Sequence, residues 1–423
     1  MLLLMICRIP IFISMLIPTF IGIFYIRGWD ALASVIEQVV WNQSHNYILT
    51  TIPMFILMGQ LIYLSGISEE LFNMFRNLFH GLKGNLAIST IGASALFAAS
   101  TGSSVATTGT IGVLASKEMV SHGYNKALSS GSIVAGGTLG ILIPPSTMFI
   151  VYGTLTEQSI GKLFIAGIIP GILLTLLFIL TIYIAILIKP QLAPISDENE
   201  KVSLKQRFMY VKSSLWVIIL FVIVIGGMYV GLFTPTEAAG VGALGALIIA
   251  LIRKRMTWNL LFKSLAETLK TTGFIFAILI AAFCMNYFMS ITNIPILLSD
   301  YFNNTNLSPI LILILLILMY IVLGAIMDSN AIIVITIPIV LPLIVSLGYD
   351  LIWFGVLVTL VVEMALITPP VGLNCFVLNG VVPSFKLETI FKGAFLFVIP
   401  IVALIALLII FPEIALYLPN NMD

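Results

Sequence analysis

The segment from Gly136 to Ser146, GGTLGILIPPS, lies in the middle of an apolar stretch that is long enough to cross a bilayer. Pro144 and Pro145 lack the amide hydrogen that a helix needs, and an interior proline costs about 3 kcal/mol. The three glycines of the segment also favour unwinding. The sequence therefore predicts a membrane helix that is broken near its centre.

A second copy of this pattern lies 225 residues further along the chain, where ALITPPVGLN carries Pro369 and Pro370. The same offset carries Ser104, in STGSSVATTG, onto Ser329, in GAIMDSNAII. Two different motifs at one constant offset indicate an internal duplication. Paired, interrupted apolar segments in corresponding halves of a chain are typical of the binding site of a secondary transporter.

Composition places the chain among polytopic membrane proteins. Of its 423 residues 60% are hydrophobic and 9% are charged, whereas about a quarter of the residues in a soluble domain are charged. No basic run interleaves with aromatic residues, so we expect no nucleic-acid partner. The three cysteines share no short spacing and the three histidines are isolated, so neither disulfides nor a histidine or cysteine metal site is expected.

Membrane crossings are predicted where about 20 apolar residues follow one another. Two further apolar regions, 84–116 and 308–347, carry small polar residues at their centres, and each could be either a crossing or a re-entrant hairpin. The nine predicted crossings are 9–26, 48–66, 128–153, 163–188, 215–232, 238–252, 273–291, 352–380 and 390–418.

The distribution of positive charge decides between the two alternatives. If both regions are re-entrant hairpins, all 19 Lys and Arg residues except Arg27 and Lys162 fall on one side of the membrane. Cytoplasmic loops are enriched in Lys and Arg, so this side is predicted to be cytoplasmic. The N-terminus then lies in the cytoplasm and the C-terminus on the far side.

These assignments predict an all-α polytopic membrane protein with inverted repeats and two re-entrant hairpins. The first repeat, 1–190, holds two scaffold helices, hairpin 84–116, broken helix 128–153 and helix 163–188. Residues 191–232 form a cytoplasmic linker and a helix that inverts the second copy. The second repeat, 233–423, holds hairpin 308–347 and broken helix 352–380.

The residue types at the breaks favour a cation site. A broken helix frees carbonyl oxygens, and the hydroxyls of STGSSVATTGTIG lie on the predicted hairpin beside it, although small residues there could equally serve close helix packing. Sodium fits this first site better than a proton, since no carboxylate is present. Asp328 and Glu363 could each support a second cation site or cap a broken helix, and Asn330 and Asn374 could bind substrate or satisfy exposed backbone.

The segments TGSSVATTGTIG, HGYNKA, GGTLGILIPPS, YGTLTEQSIGKLFIAGIIPG and ITPPVGLN follow one another in the order and at the spacing of a known family. In these segments the chain resembles the large membrane subunit of tripartite ATP-independent periplasmic (TRAP) transporters, the DctM/SiaM family. The resemblance covers nearly the whole chain. It implies the fold of the elevator-type ion transporters, sodium symport of an organic acid, and no enzymatic activity.

The resemblance also implies ligands at particular positions. The first sodium site would use Ser103 and Ser104 with Gly140, Ile143 and Pro145, and the substrate would lie near Thr107, Ser146, Asn330 and Asn374. Repeat symmetry places the second sodium site at Gly324, Asp328, Ser329, Ala365, Thr368 and Pro370. The family usually has a hydrophobic or proline-containing stretch after the aspartate of the second tip, where this chain has Ser329 and Asn330.

The sequence thus predicts the permease subunit of a TRAP transporter in the bacterial inner membrane, with Na⁺ as coupling ion and no organic cofactor. Its expected partners are a separate small membrane subunit of the DctQ/SiaQ type, a periplasmic binding protein, an organic acid and the lipid bilayer. A C4-dicarboxylate, a sialic acid or a similar carboxylate would be the substrate. The alternative is a stand-alone sodium-coupled carboxylate or anion transporter of a related elevator fold.

Overall fold

The structure is a computed structural model that describes residues 1–7, 9–194, 204–305 and 307–422. All regular secondary structure in these ranges is helical. Most of the polar part of the predicted cytoplasmic linker, at 195–203, lies outside the described residues, as does Arg8.

The helices are numbered in chain order. The N-terminal part contains α1 (Leu2–Ile6), α2 (Ile11–Ser44), α3 (Thr51–Leu64), α4 (Ile67–Leu78), α5 (Asn85–Thr101), α6 (Ser104–Ser121), α7 (Lys126–Leu142), α8 (Thr147–Thr156) and α9 (Ile160–Ile188). The middle part contains α10 (Leu204–Tyr229), α11 (Pro235–Ile252), α12 (Trp258–Thr292) and α13 (Ile294–Asn303). The C-terminal part contains α14 (Pro309–Gly324), α15 (Ser329–Ser346), α16 (Leu351–Ala365), α17 (Leu373–Val381), α18 (Leu387–Ile410) and α19 (Glu413–Asn420).

Within the described residues, eight helical segments are long and apolar enough to cross a membrane, with α7 and α8 together counted as one of them. The first, α2, continues well beyond the crossing predicted at 9–26 and contains a non-helical residue, Gly28. Shorter apolar helices include α5, α14 and α16. The protein is therefore a multi-pass helical membrane protein.

Two helical hairpins occupy corresponding places in the two halves of the chain. In the first, α5 ends at Thr101 and α6 begins at Ser104, so only Gly102 and Ser103 form the turn. In the second, α14 ends at Gly324 and α15 begins at Ser329. Each second helix is capped by the residue before it: Ala106 donates its backbone N–H to the Ser103 hydroxyl, and Asn330 donates its own to the Asp328 carboxylate.

Each hairpin is followed by a broken helix. The first break separates α7, which ends at Leu142, from α8, which begins at Thr147. The second separates α16, which ends at Ala365, from α17, which begins at Leu373. The Pro-Pro pair lies inside the break in both copies, because no proline nitrogen can donate to the preceding turn. Both Pro-Pro peptide bonds are cis.

The two halves interlock through matching contacts. The first hairpin packs against its own broken helix through α5 and α7, as the second does through α14 and α16. Each hairpin also reaches the broken helix of the other half, through α6 with α17 and α15 with α8. A separate group of long helices packs around this centre through the pairs α2 with α12 and α3 with α11. The interlocked hairpins and broken helices form the core of the molecule.

Candidate functional site

The first hairpin tip, Thr101 to Ser104, presents several hydroxyl groups at one point. The Ser103 hydroxyl caps α6 at 3.3 Å from the Ala106 nitrogen, and the Thr101 and Thr107 hydroxyls are hydrogen-bonded at 3.2 Å. Thr107 also donates to the Ser103 carbonyl at 2.8 Å, and its side chain is buried. Hydrogen bonds between residues close in sequence therefore stabilise the conformation of the tip.

Close backbone contact joins this tip to the first broken helix. A Cβ atom added to Gly140 would lie 2.6 Å from the Ser103 carbonyl oxygen and 2.8 Å from the Ser104 nitrogen. Gly102 has a positive φ of 59°, and a Cβ there would lie 2.6 Å from the Pro145 carbonyl oxygen. The structure therefore brings Ser103, Ser104, Gly140 and Pro145 together, which are four of the five residues that the resemblance implies for the first sodium site, and no side chain would fit at either glycine.

The first break leaves carbonyl oxygens without backbone partners. Pro144 and Pro145 have no amide hydrogen to donate to the carbonyls of Gly140 and Ile141, and no loop amide in the described structure replaces them. The Ile143 side chain points towards Gly171 of α9, so only its carbonyl is available to the site. Thr147 donates to the Gly102 carbonyl at 3.2 Å, which fixes the tip against α8.

The second hairpin tip is built differently. Its helix cap is the Asp328 carboxylate, which accepts from the Asn330 nitrogen at 3.2 Å, whereas the first tip uses a neutral hydroxyl. Asp328 and Asn330 are half-buried, and Ser329 is buried. The amide oxygen of Asn330 has no hydrogen-bond partner in the described structure. This tip therefore presents a carboxyl group and an unpaired amide oxygen.

At the second break, residues of the break itself donate hydrogen bonds to the backbone carbonyl oxygens that the prolines leave free. Thr368 donates to the Ala365 carbonyl from its hydroxyl at 3.1 Å, and Asn374 donates its backbone N–H to the Leu366 carbonyl at 3.1 Å. A Cβ on Gly324 would lie 2.5 Å from the Ala365 Cβ, so these two predicted ligands are in contact. Pro370 is exposed. The predicted second site is consequently more open than the first.

A cavity of about 760 Å³ lies against both hairpin tips. Asn330 is the one predicted substrate residue among the residues that line it in the described structure, and Ser103 and Asp328 line it as well. Thr107, Ser146 and Asn374 are fully buried and do not line the cavity. The structure therefore separates the four predicted substrate residues into one that faces the cavity and three that lie behind it.

Polar residues of the surrounding helices complete the cavity wall. Gln60 and Tyr63 of α3 and Thr271 of α12 line it, and sequence reasoning missed all three. A glutamine inside the otherwise apolar run TIPMFILMGQLIYL is the signal that could have identified Gln60. Residues from outside the hairpins thus form part of the same cavity.

Charge in the cavity is unusual for a site that would hold an anion. Among the described lining residues Glu69 and Asp328 are acidic, and none is Lys, Arg or His. Helix N-termini face the cavity instead: the starts of α6 and α8 contribute Ser103 and Thr147 to the wall, and a helix N-terminus carries partial positive charge. Backbone N–H groups at such termini bind carboxylates.

Duplicated hairpins that meet duplicated broken helices beside a cavity define a membrane transporter with inverted repeats. The comparison of sequences identifies the family. Residues 1–414 match the family model described as tripartite ATP-independent periplasmic transporter, DctM component. The chain belongs to this family and is a TRAP transporter large permease.

Individual relatives agree with the family model. The chain is 35% identical over 382 residues to the C4-dicarboxylate TRAP transporter large permease protein DctM of Pseudomonas aeruginosa, covering 90% of this chain and 88% of that protein. It is 32% identical over 420 residues to the sialic acid TRAP transporter permease protein SiaT of Haemophilus influenzae, covering 99% of this chain and 67% of that protein. These relatives are named as permease proteins and not as enzymes.

The fold also resembles a solved structure. The crystal structure of the Alcanivorax borkumensis YdaH transporter, described as having an unusual topology, superposes with a TM-score of 0.64 at 13% sequence identity. The match covers 91% of this chain and 90% of that chain. At this identity the likeness establishes the fold, which is the inverted-repeat hairpin fold predicted from the sequence.

Proposed function

We propose that this permease imports a small organic acid together with sodium ions, and that a periplasmic binding protein delivers the acid. The observation that carries the proposal is the packing of the first hairpin tip on the first broken helix. Hydroxyl and freed carbonyl oxygens converge there, and such oxygens are the ligand set of a hard cation.

The substrate carboxylate would bind in the cavity between the two tips. Without a Lys, Arg or His in the described wall, the helix N-termini at Ser103 and Thr147 would supply the positive potential. Sodium ions at the two predicted sites would add charge to the same tips. Binding of the anion would then depend on sodium, which is the physical basis of symport.

An elevator movement accounts for transport through this arrangement. The hairpins and broken helices pack on one another, and α2, α3, α11 and α12 pack around them, touching the hairpins through α3 with α5 and α12 with α15. The cavity has walls from both groups, since Gln60 and Thr271 belong to the outer helices. Sliding of the interlocked core along the outer helices would carry the bound acid across the membrane.

The named relatives suggest the class of substrate and the assembly. One is named for C4-dicarboxylates and another for sialic acid, so a small carboxylate is the proposed substrate. A small membrane subunit is the proposed partner. From the charge distribution we propose that the protein lies in a bacterial inner membrane with its N-terminus in the cytoplasm and its C-terminus in the periplasm.

The test is uptake into proteoliposomes that contain the permease with its small subunit. Radiolabelled organic acids are supplied with an inward sodium gradient or with an equal choline gradient, and with or without the binding protein. Uptake that needs both sodium and the binding protein supports the proposal. Uptake that needs sodium alone would favour the stand-alone transporter, and uptake that ignores sodium would refute the coupling.

A further inference from the structure

Gln60, on the outer helix α3, is a polar side chain in an otherwise apolar membrane segment, and the proposed function gives it no ligand. It is half-buried and lines the cavity, and its amide group makes no hydrogen bond in the part of the chain that the structure describes. Polar side chains within membrane helices are costly and typically face a substrate pathway.

The backbone of α3 places Gln60 beside the first hairpin tip. A Cβ atom on Gly59 would lie 2.8 Å from the Ser100 carbonyl oxygen and 3.0 Å from the Thr101 Cα atom. Because backbone meets backbone here, the glycine lets α3 approach the hairpin more closely than a larger residue would. The next residue, Gln60, therefore lies beside the tip at which the proposed function binds the carboxylate.

Tyr63 extends the polar surface of α3 by one turn. Residues three apart share a helix face, and Tyr63 and Gln60 line the same cavity. The Tyr63 ring packs edge-on against Phe97 of α5, with the ring centroids 6.3 Å apart. Its hydroxyl makes no hydrogen bond in the described structure. The aromatic contact thus holds the ring while the hydroxyl remains available to a ligand.

Three more neutral polar groups line the cavity from three other helices. The hydroxyls of Thr110 on α6 and Thr271 on α12 make no hydrogen bond within the described residues, and the amide oxygen of Asn330 on α15 lacks a partner there as well. A small number of converging polar groups fixes the orientation of a ligand in a mostly apolar pocket. Hydroxyl groups, which both donate and accept hydrogen bonds, would complement this set.

Charge limits the number of carboxylates that the cavity can hold. No Lys, Arg or His lies in the described wall, and the helix N-termini at Ser103 and Thr147 provide partial positive charge beside the first tip. Glu69, which is exposed, adds an acidic side chain to the wall. A second carboxylate would lose its hydration without gaining a basic partner. The cavity therefore suits an acid with a single carboxylate.

We infer that the substrate is a monocarboxylate that carries several hydroxyl groups, and that Gln60 and Tyr63 bind those hydroxyls. This inference rests on the proposed function, whose substrate it narrows. The cavity volume of about 760 Å³ lies within the range of roughly 300–1,000 Å³ that is typical of small-molecule pockets, so an acid longer than four carbons has room. Selectivity then comes in part from a helix outside the interlocked core.

The experiment measures binding of radiolabelled gluconate to the purified full chain with its small subunit in saturating sodium. Glucarate and hexanoate are the competitors, because glucarate adds a second carboxylate to the same six-carbon chain and hexanoate lacks every hydroxyl. Gluconate should bind roughly tenfold or more tightly than either acid, since a site built to bind hydroxyls discriminates against a ligand without them and an unpaired carboxylate is costly to bury.

Two variants test the residues of α3. Gln60→Leu keeps the approximate size of the side chain and removes its amide, so gluconate binding should weaken roughly tenfold while hexanoate binding stays the same. Tyr63→Phe removes only the hydroxyl, keeps the ring against Phe97, and should weaken gluconate binding roughly fivefold. Gln38→Leu, at an exposed position on α2 outside the cavity wall, is the matched control and should keep the wild-type affinities.

The outcomes separate this inference from the proposed function. If gluconate does not bind, or if either competitor binds as tightly, the substrate class is refuted, and the uptake assay with its panel of acids still decides the proposed function. If gluconate binds equally in sodium and in choline, the sodium coupling is refuted and the order of the three acids stands. Wild-type gluconate affinity in both variants refutes the role of α3, and Tyr63→Phe alone decides it if Gln60→Leu does not fold.

Discussion

Each of the two breaks contains a Pro-Pro pair, but the carbonyl oxygens that the prolines leave free have different hydrogen-bond partners. At the first break these oxygens lack loop amide partners, and Pro144 and Pro145 are buried. At the second break Thr368 and Asn374 donate to the freed carbonyls, and Pro369 is exposed. One motif thus produces a sealed oxygen-rich site in one half and a more open one in the other.

The hairpin tips differ in the same sense. Ser103 caps the first tip with a neutral hydroxyl, and Asp328, 225 residues later, caps the second with a carboxylate. Where the break retains its free carbonyls, the tip needs no charge. Where the break uses its carbonyls internally, the tip carries a carboxyl group. If both proposed sites bind sodium, they do so with two different sets of ligands.

The largest expected difference between the halves is in accessibility. Ser146 and Val371 are equivalent positions, but Ser146 is fully buried and Val371 is 37% exposed. In a Cys7→Ser background, in which the remaining cysteines Cys284 and Cys375 are buried, Val371→Cys should react with a small maleimide and Ser146→Cys should not. Labelling of purified protein followed by mass spectrometry gives the result. Equal labelling at both positions would contradict the described difference.

Gly140→Ala should damage the first half more than any comparable change in the second. The added Cβ would lie 2.6 Å from the Ser103 carbonyl oxygen, and backbone cannot move aside as a side chain can. We expect a loss of about 1–3 kcal/mol of stability and at least a tenfold loss of sodium-driven uptake. The equivalent residue is Ala365, so Ala365→Gly is the control and should keep most uptake. Normal uptake by Gly140→Ala would show that the tip is not closely packed during transport.

Asp328→Asn should weaken sodium dependence without unfolding the protein. Asparagine is as good a helix cap as aspartate, so α15 should keep its N-terminus. Loss of a charged ligand should raise the sodium concentration for half-maximal uptake roughly 10- to 100-fold. The measurement is a sodium titration of uptake, with the melting temperature as a check on folding. An unchanged titration would remove Asp328 from the second site.

Ser103→Ala is expected to have the smallest effect of the four. The change removes one neutral ligand and one helix cap, which together cost about 1 kcal/mol of stability. The sodium requirement should rise roughly fivefold, less than for Asp328→Asn, because the freed carbonyls of the first break remain. The same sodium titration checks this order. If sodium activation of uptake is unchanged, Ser103 is not a ligand of the first site.

Sequence reasoning located the breaks and the hairpins because their signals are local. Proline removes a helix donor wherever it occurs, so the Pro-Pro pairs place the breaks before any packing is known. The constant offset and the charge asymmetry then predict inverted repeats, which the fold shows. Gln60 was missed, although a glutamine inside the apolar run of α3 is a local signal that could have identified it.

The predicted substrate residues show the limit of prediction from local sequence. Thr107, Ser146 and Asn374 have the polar groups and positions of binding residues, yet they are buried behind the cavity, and of the four predicted residues only Asn330 lines its described wall. Which polar group faces a cavity depends on how helices from distant parts of the chain pack.

The sequence by itself determined that the chain crosses a membrane many times, that it is duplicated, and that its centre contains two broken helices. These properties follow from hydrophobicity, proline chemistry and repeat spacing, which act over a few residues. Only the tertiary structure decided which freed carbonyl oxygens remain without a hydrogen-bond partner, which break is buried, and which side chains face the cavity. Those outcomes depend on contacts between helices, such as Gly140 with Ser103, and no local pattern encodes them.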